Sequence, residues 1–159
     1  MTEDYLPPSD FLRACMNDEV PLTGSAFANG NLQRLIAMTG DPETANRDWA
    51  TMLLSQTEFD TPEIRAALLE RLGDTDPIVR AEALLGLVQR DRELALPLVA
   101  VELQGNDCNV VLIEAAEALA DPTLLPSLMA WWADRANPPD RIDEALADAI
   151  AACGGSTTG

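Results

Sequence analysis

An apolar pattern of helical spacing recurs every 31–33 residues along most of this chain, and a period of that length restricts the fold to an array of stacked units. In the segment Asp76-Pro77-Ile78-Val79-Arg80-Ala81-Glu82-Ala83-Leu84-Leu85-Gly86-Leu87, the anchors Val79, Ala83, Gly86 and Leu87 fall at i, i+4, i+7 and i+8, one face of an α-helix. Val111, Ala115, Ala118 and Leu119 occupy the same slots one period later, and Ile142, Leu146, Ala149 and Ile150 the period after that. One period earlier stand Asn46, Ala50, Leu53 and Leu54, with Asn46 the sole departure.

Second helices fit between these first ones. Thr61-Pro62 opens one, a capping hydroxyl followed by proline at the first helical position. Asp91 opens another and Asp121-Pro122 a third. The connections Gly73-Asp74-Thr75-Asp76-Pro77, Gly105-Asn106-Asp107 and Asn137-Pro138-Pro139-Asp140 are rich in turn formers and caps. Ala50, Ala83 and Ala115 sit at equivalent points of the first helices, small enough for two helices to approach closely. One such unit cannot cover its own apolar face, so stacking must bury it. The reading is an all-α, right-handed α-α superhelix. Residues 1–30 form an atypical N-terminal cap, 31–152 the array and 153–159 a disordered tail.

The Asp76–Leu87 segment resembles the first helix of a HEAT repeat, closest to the short bacterial phycobilisome-lyase-like kind. That pattern runs roughly D-P-x-V-R-x-x-A-x-x-A-L-G, with a Leu-Pro in the second helix that Leu96-Pro97 and Leu125-Pro126 supply here. The resemblance covers about residues 31–152. It implies a solenoid and leaves function open, because such repeats serve many purposes. Leu112 stands where Arg47 and Arg80 stand, so a repeated arginine–aspartate contact is not expected there.

Charge excludes more than it assigns. The chain has 27 acidic and 10 basic residues, all ten arginine, with no lysine or histidine and a net charge of −17. Without a basic stripe, binding to nucleic acid or to an anionic membrane is not expected. Between Glu93 and Asp134 lie Glu102, Asp107, Glu114, Glu117 and Asp121 and no basic residue, which suits either plain solubility or a basic protein partner. No apolar run approaches the roughly 18 residues a membrane span needs. The N-terminus MTEDYLPPSD lacks the features of a secretion signal, so a cytoplasmic location is expected. Cys15, Cys108 and Cys153 are too far apart, and too short of histidine, for a zinc site or a disulfide framework.

Most catalytic chemistry falls with the missing histidine and lysine: no Ser-His or Cys-His pair, no Schiff base, no P-loop. The His-Glu metal motifs of HEAT-repeat hydroxylases are absent, the basic groove of HEAT-like DNA glycosylases has no counterpart, and the short repeat itself carries no bilin-lyase chemistry. No cofactor and no metal are expected. Glu114 and Glu117, one helical turn apart, could do acid–base work, form a solvated face or meet Arg80 of the neighbouring repeat, and Glu82 precedes Glu114 by one repeat. Trp49 aligns with Glu82 and Glu114 and either packs on an inter-helix ridge or forms an exposed anchor.

A docking surface is sought on the second helices, which usually line the concave face in this architecture. The helix from Leu94 to Leu103 is apolar all round: Leu94, Leu98 and Val101 on one side, Leu96, Val99, Ala100 and Leu103 on the other. Leu69, Leu96, Val99, Leu103 and Met129 are expected to form an apolar stripe edged by Glu70, Glu102 and Asp134. A basic amphipathic segment of a partner would fill it, or the N-terminal segment or a second copy of the chain in a homo-oligomer would cover it. Trp131 and Trp132 are expected in the core. The leading function is a non-catalytic protein-interaction scaffold; an acidic inhibitor or immunity-type protein for a basic partner comes second, and a carboxylate-based or lyase-type enzyme third.

Overall fold

The computed structural model describes residues 5–135 and 140–158. Nine α-helices follow one another among those residues, with no strand: α1 (Asp10–Met16), α2 (Ala26–Met38), α3 (Thr44–Gln56), α4 (Pro62–Arg71), α5 (Pro77–Arg90), α6 (Arg92–Leu103), α7 (Val110–Leu119), α8 (Leu125–Ala133) and α9 (Arg141–Ala152). A 3-10 turn, Pro122–Leu124, leads into α8. The Asn137-Pro138-Pro139 turn lies outside the described residues.

Capping side chains explain where the helices begin. Ser9, Ser25, Thr61, Asp76, Asp91, Asn109 and Asp140 each accept a hydrogen bond from a backbone N–H in the first turn of the helix that follows. Asp91 is the whole connection between α5 and α6: its backbone ends the first helix and its carboxylate starts the second. Ala120, at φ 50° and ψ 40°, closes α7 in the left-handed conformation that glycine ordinarily supplies.

The first helices α3, α5, α7 and α9 stack in sequence, and α4, α6 and α8 lie against them as a second layer. The small residues do what their spacing promised. Ala50, Ala83 and Ala115 are fully buried, and at Gly86 an added methyl would lie 2.5 Å from Ser55 Oγ and 2.9 Å from its Cβ. The Ser55 hydroxyl uses that close approach to donate 2.7 Å to the Glu82 carbonyl, tying α3 to α5. At the N-terminal end, α1 and α2 pack on α3 as an irregular first pair, and α2 begins at Ala26, earlier than the array boundary expected near 31. At the other end, Cys153, expected in a free tail, is buried, and Gly155 packs against Leu125 and Ile150.

Arginines join neighbouring repeats. Arg47 donates to the Asp41 and Pro42 carbonyls of the loop before α3 and, at 2.8 Å, to Asp74 of the loop after α4. Arg80 repeats the arrangement one unit on, with the Asp74 and Thr75 carbonyls, Asp107 at 3.0 Å and Glu102 at 2.7 Å. Leu112, next in register, is buried and cannot, as expected. Arg90 gathers carbonyls from Leu54, Ser55, Thr57 and Phe59, satisfying the C-terminal end of α3, and Arg92 does the same for Ala118 and Leu119 of α7.

Candidate functional site

The rotation of α6 decides which side chains the second-helix face presents. A helix apolar on all sides has no preferred face of its own, so its neighbours choose. The layer beneath takes Ala95, Val99 and Leu103, spaced i, i+4 and i+8 and no more than 2% exposed. Val99 and Leu103 are therefore buried in the core, Leu103 also lining the groove beside α8, and Leu96 is half-buried against the same core. Leu94 and Val101 point outward instead, 36% and 69% exposed.

Leu69 on α4 and Met129 on α8 are exposed, as are Glu70 and Asp134 beside them. Glu102 is half-buried, with its carboxylate held by Arg80 at 2.7 Å. Leu69, Leu94, Val101 and Met129 are thus the exposed large apolar side chains of these three second helices. Between the C-terminal end of α6 and α8 lies an open groove of about 530 Å³, lined by Leu103, Gln104, Pro126, Ala130, Trp131 and Asp134. Trp131 and Trp132 pack on the core, and the Trp131 indole N–H donates to the Leu103 carbonyl at 2.9 Å.

A second site lies on the opposite layer. Thr44, Asp48 and Met52 recur every four residues along α3, and Ile78 and Glu82 do so along α5, so both rows face the groove between these first helices. With Tyr5, Trp49 and Asp76 they line a cavity of about 640 Å³ to which no second helix contributes. The Tyr5 ring stacks on Trp49 at 5.8 Å between centroids and its hydroxyl donates 2.8 Å to Asp48. Trp49 is half-buried: it packs on the core and forms one wall of this cavity.

Glu82 is the unusual member. It is only 8% exposed, yet its carboxylate has no hydrogen-bond or ion-pair partner among the described residues. Burial, reinforced by the charges of Asp48 and Glu114, pushes its pKa up to about 7. Asp48 is also raised, first by burial and then by Asp76, with the Tyr5 hydrogen bond working against the rise. Glu114 and Glu117, the carboxylates singled out by spacing, are exposed on α7 and line no cavity with Glu82. Repeat alignment put Glu82 and Trp49 in one slot of successive repeats, but only stacking could show that they share a wall and that Tyr5 closes it. Among the described residues, no three of histidine, cysteine, aspartate and glutamate are grouped to hold a metal ion, and no helix is long and apolar enough to cross a membrane.

Residues 32–120 match the family model of HEAT repeats. The chain is 37% identical over 94 residues to "Protein YibA" of Escherichia coli strain K12, and equally to that of strain O157:H7; the match takes in 59% of this chain and 34% of each relative. An X-ray structure of Escherichia coli YibA superposes with a TM-score of 0.59 at 26% identity, over 88% of this chain and 54% of that one. The chain thus spans about a third of the curated relatives and about half of the solved one.

Proposed function

Because this chain belongs to the HEAT-repeat family, we propose that it is a non-catalytic scaffold that docks a protein partner through its second-helix face, taken as the concave side of the solenoid. The observation that carries this reading is that three successive second helices each expose large apolar side chains: Leu69, Leu94 with Val101, and Met129. Exposed apolar surface crossing several elements is unfavourable for an isolated protein and commonly marks an interaction site. Glu63, Glu70, Glu93 and Asp134 are exposed on or beside the same helices, so the complementary partner is a basic, amphipathic segment.

Leu94→Asp with Val101→Asp tests it. Both positions are exposed, so the double variant keeps the parent's melting curve while losing the partner that the parent retains from an extract of its native host. Equal retention by parent and variant refutes the surface.

The acidic-inhibitor reading draws on charge. Arg80 neutralises Glu102 and Asp107, which leaves Glu93, Glu114, Glu117, Asp121 and Asp134 without an ion pair among the described residues. Binding that collapses as salt rises favours that reading, and salt-insensitive binding favours the apolar stripe.

A further inference from the structure

The α3–α5 cavity brings together three kinds of group. Two aromatic rings line it, Tyr5 and Trp49; three carboxylates line it, Asp48, Asp76 and Glu82; and Met52 and Ile78 give it apolar walls. Its volume of about 640 Å³ is that of a small-molecule or side-chain pocket. Asp76 lies within the field of Arg47, but Asp48 and Glu82 face no cation. Asp76 spends one oxygen capping α5 and Asp48 receives only a neutral phenol hydroxyl, while the buried Glu82 has no partner among the described residues.

Such a cavity is hostile to an anion, and a neutral apolar guest would leave Glu82 desolvated and unpaired. A bare metal ion is also a poor match, because the carboxylates are not grouped at metal-ligand spacing. What suits separated carboxylates beside aromatic rings is a larger cation with an apolar stem. Its charge is met by the acids and the ring faces together, and its methylenes by Met52 and Ile78. We propose that this cavity binds the head group of an organic cation, an alkylammonium or guanidinium, carried either by a free small molecule or by a lysine or arginine side chain of a protein.

Glu82 makes the site pH-dependent. The groups that face it are Asp48 on α3, Asp76 at the start of α5, Glu114 on α7 and the Tyr5 hydroxyl, none of them cationic. A bound cation therefore favours the ionised carboxylate, and affinity rises as Glu82 loses its proton, between about pH 6 and about pH 8. The site opens on the layer opposite the second-helix stripe, so it stands or falls independently of the partner docking proposed above.

The test is an NMR titration of isotope-labelled protein that follows the Trp49 indole N–H. The probes are agmatine, n-butylammonium and the capped peptide Gly-Arg-Gly, with n-butanol as the neutral control. The expected result is saturable binding of the cations at about 1 mM or below and none of butanol. Glu82→Gln, which keeps the side chain's size, should weaken binding about tenfold, and Trp49→Phe by a smaller factor through loss of indole surface. Tighter binding of the peptide than of agmatine assigns the cation to a partner's side chain, and the reverse assigns it to a free small molecule. The proposal is overturned if no cation shifts the Trp49 resonance at about 10 mM, if butanol binds as well as butylammonium, or if Glu82→Gln binds with parental affinity.

Discussion

Glu82→Gln also makes a stability measurement that needs no ligand. The carboxylate has a pKa of 4.5 in its ordinary environment and about 7 in the folded protein. A raised acid pKa means that, between those values, the folded state holds a proton the unfolded state has released. Stability therefore falls as pH rises from about 4.5 to about 7 and stays low above it. At about 1.4 kcal/mol per pH unit, the full effect amounts to roughly 3 kcal/mol. Glutamine occupies nearly the same volume without the charge, so the variant and the parent should be about equally stable near pH 4.5. By about pH 8 the variant should lead by up to roughly 3 kcal/mol. Asp48, itself raised by burial and by Asp76, is coupled to Glu82 through its charge, so the comparison reads the two carboxylates together. Urea unfolding at several pH values, read by circular dichroism, measures the difference directly. Parallel stability curves would show that Glu82 is not desolvated in the folded state and would remove the unpaired charge from the cavity.

Three further changes probe the stacking. Ala83→Glu places a charge where α5 admits no solvent, and the expected result is loss of the cooperative melting transition; a soluble variant with parental thermal stability would contradict close stacking of the first helices. Leu96→Asp with Leu103→Asp should likewise unfold the array, costing more than about 4 kcal/mol because Leu103 is core, and an unchanged melt would place that side of α6 on the surface. Ala120→Gly relieves the left-handed backbone that ends α7 and should stabilise by about 0.5–1 kcal/mol in chemical denaturation; a loss of stability would mean the position gains more from its methyl than it loses to strain.

The repeat was readable because its signals are local. Val79, Ala83 and Leu87 lie on one helical face whatever surrounds them, and the caps at Thr61, Asp76 and Asp91 act within three residues of themselves. Even the missing arginine of the third repeat followed from reading Leu112 against Arg47 and Arg80. The rotation of α6 was not readable, because leucine and valine ring that helix and its own composition ranks no side above another. The Arg80 clasp on Glu102 and Asp107 was hidden for a related reason: a stretch without basic residues in sequence is approached by one from the first helix of the same pair.

The amino-acid sequence alone thus determined a solenoid of helix pairs, since a periodic apolar face with small anchors has no other way to leave water. Only the tertiary structure decided which residues meet across repeats. It turned Val99 and Leu103 inward, left Leu94 and Val101 outside, and set Tyr5 on Trp49 above a lone buried Glu82. Those outcomes depend on the surfaces that neighbouring helices present to one another, and the pattern within a single helix does not contain them.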